Sequence, residues 1–266
     1  MLERYKNSYL CYFLMYNFYY LSWAIFSALI SIYLLDKGFK ASEVSLVVST
    51  SFLTSMIFQP VIGMFSDRYD VKKVNFVLFT LAGIGGLAFM FASSLITITI
   101  GYSFVLTLIN GTNPVMEKIA SSSPYGKIRI WGTIGYATGS WLAGMIYQLI
   151  SPSAIFICFI ITMILCIIGL LGTQTPSELG QNNEEKTKTS TLFHNYKYLY
   201  YLIIAAIFQG ITNMANTYIP AMFQNDGLKV SLVSTILSFA VLCEAPLVLF
   251  SHKFMDKLTN KRLLII

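Results

Sequence analysis

The sequence predicts an all-α protein that crosses a lipid bilayer several times. Of its 266 residues, 56% are hydrophobic and 11% are charged, whereas a soluble domain carries about 25% charged residues. Several uncharged runs also reach about 20 residues, which is the length that a helix needs to cross a bilayer. A soluble domain could not bury so many such runs, so we expect a multi-pass protein of the cell membrane.

Eight apolar runs are interpreted as membrane-spanning helices. They cover about 9–35, 43–65, 74–93, 97–118, 127–149, 152–172, 198–222 and 231–252. The final stretch, KRLLII at 261–266, is interpreted as the start of a ninth span. The first run lacks the small-residue cleavage site of a signal peptide, so we expect it to remain as a span.

One polar segment divides these runs into two groups. Residues 173–197 contain proline, glycine, asparagine and mixed charges without an apolar period, which is typical of a linker. We therefore predict a complete six-helix bundle over residues 1–172, a cytoplasmic linker over 173–197, and an incomplete second bundle of about two helices over 198–266.

The distribution of positive charge predicts the orientation. Of the 18 lysines and arginines, only Lys37, Lys40 and Lys229 fall in the loops of one face. Positive charge collects in cytoplasmic loops, so the other face, which includes the N-terminus, is predicted to be cytoplasmic. The net charge of +6 lies in these short loops rather than on a basic helix, so no nucleic-acid partner is expected.

Several classes of chemistry are not indicated. The four cysteines lie in apolar runs without a CxxC spacing, so we expect neither a metal site nor a redox pair. The sequence also lacks HExxH, GxSxG and paired aspartates within the apolar runs, which argues against an intramembrane enzyme. No bound cofactor is predicted.

A short sequence pattern recurs 189 residues later in the chain. GFKASEVSLVVS at 38–49 aligns with GLKVSLVSTILS at 227–238, and Asp67 aligns with Asp256 at the same offset. Both matches flank the second span of their group, so we interpret them as parts of a tandem duplication. A six-span unit followed by a parallel copy is the plan of a two-half secondary transporter.

The loop after the second span resembles a loop of the major facilitator superfamily. GMFSDRYDVKK at 63–73 fits the family pattern Gly-x-x-x-Asp-Arg-x-Gly-x-Lys/Arg-Lys/Arg, except that Asp70 takes the place of the usual second glycine. The matching residues are Gly63, Asp67, Arg68, Lys72 and Lys73. In that family the loop braces the two halves, and the resemblance implies this conformational role here and for Asp256.

Narrower motifs are similar to the lactose permease and nucleoside–proton symporter branch. They are FQPVIGMFSDR, NPVMEKIASSSPYGKIRIWGTIGYATGS and CEAP. The resemblance implies that Arg129 is a sugar-binding arginine and that Tyr136 takes the place of a stacking tryptophan. These two residues are two helical turns apart and share a helix face, and a guanidinium beside an aromatic ring suits a sugar or a nucleoside.

Further polar residues fall at or near charged positions of lactose permease. Asn113 stands where the family has the carboxylate that pairs with the arginine, and Glu117 lies one turn further on the same face. Either Asn113 binds substrate as a neutral amide, or Glu117 has taken over the ion pair. Asn213 and Asn216 stand at two aspartate positions of helix seven, and this loss of charge argues against lactose itself.

Glu244 is the strongest single candidate for a functional residue. It lies twelve residues before Asp256, which places it ~18 Å into the membrane at about 1.5 Å per residue. A carboxylate at this depth costs roughly 2.5–3.5 kcal/mol and persists mainly where it has a function, so we predict a proton-coupling role. Pro246 is expected to bend this helix. Trp23 and Tyr20 are candidates for the wall of a cavity in the first span.

We therefore expect a transporter that moves a small polar solute, such as an oligosaccharide or a nucleoside, by proton symport and alternating access. Two alternatives stay open: a truncated chain that does not transport, as a fragment or one part of a split transporter, and a drug efflux protein. The expected partners are a small-molecule substrate and the lipid bilayer, with a missing C-terminal half in the split case. The proton is the expected coupling ion.

Overall fold

The computed structural model describes residues 6–121, 125–174 and 196–246. Within these ranges the chain forms nine α-helices and no β-strand. They are α1 (Tyr9–Ser27), α2 (Ile30–Asp36), α3 (Ala41–Arg68), α4 (Val71–Met90), α5 (Leu95–Ser121), α6 (Tyr125–Leu149), α7 (Ala154–Gly172), α8 (Tyr196–Asn225) and α9 (Val230–Leu242). The prediction of an all-α membrane bundle is confirmed.

Each of the eight predicted spans overlaps at least one helix in the described residues, and the part of the eighth span beyond residue 246 lies outside them. The first span is one apolar stretch, Tyr9–Asp36, which a turn at Ala28–Leu29 divides into α1 and α2. Among the described residues, six helical stretches are long and apolar enough to cross a membrane. The predicted ninth span at 261–266 lies outside the described residues.

Helix α1 forms the centre of the first bundle. It packs between α6 and α7, while α3 packs on α5, and α4 contacts both α5 and α7. α9 packs on α6, and α8 contacts α2 and α9. The last two spans therefore contact the first six through the α9–α6 and α8–α2 contacts.

Glycines allow α1 to approach its two neighbours closely. A Cβ atom added at Gly135 of α6 would overlap the carbonyl oxygen of Asn17, and one added at Gly169 of α7 would overlap the backbone nitrogen of Met15. Small residues at helix contacts let backbones approach and pack in membranes. The position of α1 thus depends on the absence of side chains at these two sites.

The two loops of the predicted repeat have the same backbone geometry. Gly38 has φ +90° and Gly227 has φ +89°, a left-handed conformation that glycine adopts without strain. Each glycine N–H bonds to the carbonyl three residues earlier, at 2.9 Å in both loops. The next N–H bonds to the carbonyl five residues earlier, at 3.2 and 3.1 Å. Both are Schellman helix ends, so the residues aligned by sequence occupy equivalent places in their loops. The division into domains at 173–197 stays a prediction.

The α3–α4 turn is stabilised by its own charged residues. Asp70, which stands where the resembling family has glycine, is the N-cap of α4, and its Oδ1 accepts a hydrogen bond of 2.9 Å from the backbone N–H of Lys73. An aspartate at this position satisfies an otherwise unpaired helix donor. Lys72 Nζ donates to the carbonyls of Leu171 and Thr173 at the end of α7, where a cation is favoured by the helix dipole.

Candidate functional site

Three aromatic side chains line one face of α1. Tyr16, Tyr20 and Trp23 are spaced by four and then three residues, so they lie on the same side of the helix. The ring centroids of Tyr16 and Tyr20 are 5.0 Å apart, and Tyr20 stacks on Trp23 at 5.9 Å. Trp23 meets Tyr136 of α6 edge to face at 6.3 Å. The strip therefore connects α1 to the helix that carries Arg129.

Two of these tyrosines bind the carboxylate of Glu117 on α5. The Tyr16 hydroxyl donates to Glu117 Oε1 at 2.7 Å, and the Tyr20 hydroxyl lies 2.9 Å from the same oxygen. We call Tyr16, Tyr20, Asn113 and Glu117 the tyrosine–glutamate cluster. Tyr16 is 1% exposed, so this polar contact lies within the bundle.

Asn113, the fourth member of the cluster, contacts the hydroxyl group of Tyr20. The Tyr20 hydroxyl lies 3.1 Å from Oδ1 of Asn113. A tyrosine has one hydroxyl hydrogen, so it cannot donate fully to both Glu117 and Asn113. With the amide of Asn113 turned about its axis, its NH₂ group donates to the Tyr20 oxygen while Tyr20 donates to Glu117. Asn113 then links the two helices as a donor.

Space for the two tyrosines comes from Gly132 of α6. A Cβ atom at this position would lie 2.6 Å from Tyr16 and 3.0 Å from Tyr20. Any side chain there would push both rings away from α6. Gly132 therefore contributes to the site because its missing side chain leaves space for the rings of Tyr16 and Tyr20.

Arg129 lies at the start of α6, about one turn after Tyr125. Its side chain is exposed, and it precedes by three residues Gly132, which packs against Tyr16 and Tyr20. Arg129 is thus on the side of the tyrosine–glutamate cluster that lies towards the face on which α1 begins. We call this face the N-terminal face.

The structure brings together most, but not all, of the substrate-binding residues predicted from the sequence. Asn113 and Glu117 of α5 hydrogen-bond to Tyr20 of α1, and Tyr136 of α6 packs on Trp23 of α1. Arg129 lies about two turns before Tyr136 on α6. Asn213 and Asn216 lie on α8, and neither adds a side-chain hydrogen bond to the tyrosine–glutamate cluster among the described residues.

Sequence patterns did not indicate Tyr16 as a site residue, nor the contacts of Tyr20. The available signal was the four-residue spacing of Tyr16 and Tyr20, which places both side chains on one face of α1. That spacing does not show which helix the face would contact.

Glu244 lies in a turn after α9. The helix ends at Leu242, Cys243 and Glu244 form the turn, and helical backbone resumes at Ala245. The backbone N–H of Glu244 bonds to the carbonyl of Val241 at 3.1 Å, and the side chain is exposed. The break precedes Pro246, which cannot donate a backbone hydrogen bond. Glu244 therefore lies at a break in the helix, close to Pro246, where a bend was expected.

The other residues of the conformational motif lie on the N-terminal face. Asp67 and Arg68 are exposed at the end of α3, and a Cβ at Gly63 would meet open space. Asp256 lies outside the described residues. The bracing role of the motif stays a prediction.

On the opposite face, one carboxylate connects three helices. Asp36, at the end of α2, accepts a hydrogen bond at Oδ2 from the hydroxyl of Tyr147 on α6. Its Oδ1 accepts from Nε2 of Gln224 on α8 at 3.0 Å. Close by in sequence, Gln148 Oε1 accepts from the backbone N–H of Ser231 at 2.8 Å. We call Asp36, Tyr147 and Gln224 the Asp36 junction.

Replacing Asp36 by alanine is expected to loosen α8 from the first six spans. Hydrogen bonds to a charged group contribute roughly 1.5–3 kcal/mol each, and the substitution removes two. Spin labels at Lys40 and Lys229 are expected to show a broader and longer distance distribution in the variant. Asp226→Ala, an exposed carboxylate on the same face, is the control. An unchanged distribution in Asp36→Ala would contradict the junction's role.

In a bundle of membrane-length helices, an ionisable residue within a polar and aromatic cluster, here between the first, fourth and fifth spans, indicates a functional site. Residues 12–266 match the Major Facilitator Superfamily, and the chain belongs to this family. The family predicted from the sequence is therefore confirmed, and the chain is a multi-pass membrane protein of this family.

Similar proteins support the same class. The chain is 27% identical over 255 residues to the uncharacterized transporter YwbF of Bacillus subtilis, covering 91% of this chain and 63% of that protein. It is 21% identical over 260 residues to a probable 3-phenylpropionic acid transporter of Escherichia coli, covering 93% and 68%. The crystal structure of the nucleoside transporter NupG superposes with a TM-score of 0.75 at 16% identity, covering 94% and 68%. The chain thus spans about two thirds of the length of these proteins.

Proposed function

We propose that this chain binds a small neutral solute with several hydroxyl groups, such as a nucleoside or an oligosaccharide, for transport by proton symport. The observation that carries the proposal is the tyrosine–glutamate cluster beside Arg129 and the Trp23–Tyr136 pair. Polar and ionisable residues inside membrane bundles are costly and are kept mainly where they bind substrates or ions. The similarity to a nucleoside transporter in fold is consistent with this solute class.

Each part of the site supplies a different interaction. The guanidinium of Arg129 donates to solute oxygens through its planar fork. Asn113 and Glu117 accept from solute hydroxyls, and the aromatic rings of Trp23 and Tyr136 pack on the flat face of a sugar or base. These contacts together select for a ring that carries hydroxyl groups at its edge.

The proposed orientation places the N-terminal face in the cytoplasm. The loops of this face hold most of the chain's basic residues, which favours a cytoplasmic location. In this orientation the cluster lies nearer the cytoplasmic end of the helices, because Glu117 is about one turn from the end of α5.

The function is tested with purified chain in detergent and in proteoliposomes. Tritiated uridine and a labelled trisaccharide are the neutral probes, and labelled 3-phenylpropionate is the anionic probe. We expect saturable binding of at least one neutral probe, and uptake that rises when the inside is made alkaline. Binding of the anionic probe alone would contradict the proposed solute class, and binding of none would contradict the proposed site.

Glu244 is proposed as the proton-coupling residue. Replacing Glu244 by glutamine is expected to leave probe binding within about two-fold but to abolish accumulation driven by a pH gradient, because glutamine cannot exchange a proton. Glu43→Gln, a carboxylate that caps α3 on the opposite face, is the control. Full uptake with unchanged pH dependence in Glu244→Gln would count against this role.

A further inference from the structure

The geometry of Tyr16 and Tyr20 indicates more than packing. Two hydroxyl groups from one helix converge on a single oxygen of Glu117, at 2.7 and 2.9 Å. A glutamate side chain has several rotatable bonds, and ordering it has an entropic cost. Two hydrogen bonds to one oxygen hold the carboxylate on the α1 side of α5.

We infer that Tyr16 and Tyr20 are positioning residues that hold the Glu117 carboxylate as an acceptor for solute hydroxyls. They thereby set a preference for neutral solutes over solutes that carry a carboxylate. This inference rests on the proposed function of the same site and adds a cause for its selectivity.

The chemistry of a carboxylate explains the expected selectivity. Its two oxygens offer about four acceptor positions and no donor, and the two tyrosines use two positions on Oε1. A solute hydroxyl brings a donor that a carboxylate can accept. A solute carboxylate brings only acceptors, and it is repelled by Glu117 at short range. A carboxylate held in place discriminates better than one that can rotate away.

Arg129 alone would give the opposite preference. A guanidinium binds carboxylates bidentately and strongly, and the aromatic pair would accept a phenyl ring. An anionic aromatic solute therefore fits Arg129, Trp23 and Tyr136 but not a fixed Glu117. The position of Glu117 decides between the two solute classes, and the two tyrosine hydrogen bonds contribute to that position.

The first test compares a matched pair of probes. 3-Phenylpropionate and 3-phenylpropan-1-ol differ in charge but share the ring and chain. Each is titrated against bound tritiated uridine in the wild-type chain and in the variants Tyr16→Phe, Tyr20→Phe and the double variant. We expect the double variant to shift the ratio of the two affinities at least ten-fold towards the anion.

A matched control separates this role from packing. Tyr19 also lies on α1, and its hydroxyl donates to the carbonyl of Ile109 at 2.6 Å rather than to Glu117. Tyr19→Phe also loses a buried hydroxyl, but we expect it to leave the ratio unchanged. An equal shift in Tyr19→Phe, or weaker binding of both probes in equal measure in the double variant, would overturn the inference.

A second measurement needs no solute and distinguishes this inference from the proposed function. A hydrophobic carbodiimide modifies carboxyl groups inside membrane proteins, and mass spectrometry reports the modified fraction of Glu117. We expect Glu117 to react at least ten-fold faster in the double variant than in the wild type or in Tyr19→Phe. An unchanged rate would show that the tyrosines do not hold Glu117, whichever probe binds. A faster rate without binding of any probe would leave the positioning intact and reject the proposed function.

Discussion

Replacing Gly135 by leucine is expected to abolish the folded bundle. A Cβ at this position already overlaps the carbonyl oxygen of Asn17, and a backbone atom cannot move aside as a side-chain tip can. Overpacking of a core costs about 1–3 kcal/mol when side chains adjust, and here a whole helix must move. Because α1 contacts both α6 and α7, its displacement would disturb most of the first six spans.

The measurement is the monodisperse peak of detergent-solubilised chain in fluorescence-detected size-exclusion chromatography. We expect the Gly135→Leu peak to be lost or replaced by aggregate. Gly83→Leu is the matched control, since it makes the same change in α4 where nothing lies within 4 Å of the added Cβ. A normal peak and melting temperature for Gly135→Leu would show that α1 and α6 do not pack as described.

Replacing Arg129 by alanine is expected to have the largest effect on solute binding. Hydrogen bonds from a charged group contribute roughly 1.5–3 kcal/mol, which corresponds to a loss of about 10- to 150-fold in affinity for the neutral probe. Arg129→Lys keeps the charge but loses the planar fork, so we expect an intermediate loss. Binding is measured with tritiated uridine on the purified chain.

The control for this experiment is a cation away from the tyrosine–glutamate cluster. Lys197→Ala removes an exposed charge at the start of α8 and is expected to leave the affinity unchanged. A comparable loss in Lys197→Ala would indicate a general effect of surface charge. Unchanged affinity in Arg129→Ala would show that Arg129 does not bind the solute.

The spans were predictable because they depend on local composition. A helix of about 20 apolar residues is needed to cross a bilayer whatever its neighbours are, so the run at 43–65 became α3 and the run at 152–172 became α7. The pairing of Gly38 with Gly227 was visible in the sequence pattern, and the structure gives both glycines the same left-handed helix end. Asp70 departs from the family pattern, and its N-cap hydrogen bond explains the residue in this chain.

The candidate site was only partly predictable. Arg129, Asn113 and Tyr136 were found through their resemblance to family positions, and the structure places Tyr136 against Trp23. Tyr16 carried no such resemblance, and it was found only because its hydroxyl meets Glu117 across 101 positions of sequence. The role of Asp36 could likewise not be predicted from the sequence, because its partners Tyr147 and Gln224 lie on helices far along the chain.

The sequence alone determined that the chain is a helical membrane protein, where its helices run, and that a short pattern recurs within it. These properties follow from hydrophobic length, charge distribution and turn chemistry, all of which are local. The tertiary structure decided which polar side chains meet. In a membrane, helices associate through close packing at small residues rather than through an apolar pattern. The glycines of α6 and α7 therefore decide which face of α1 is turned towards Glu117.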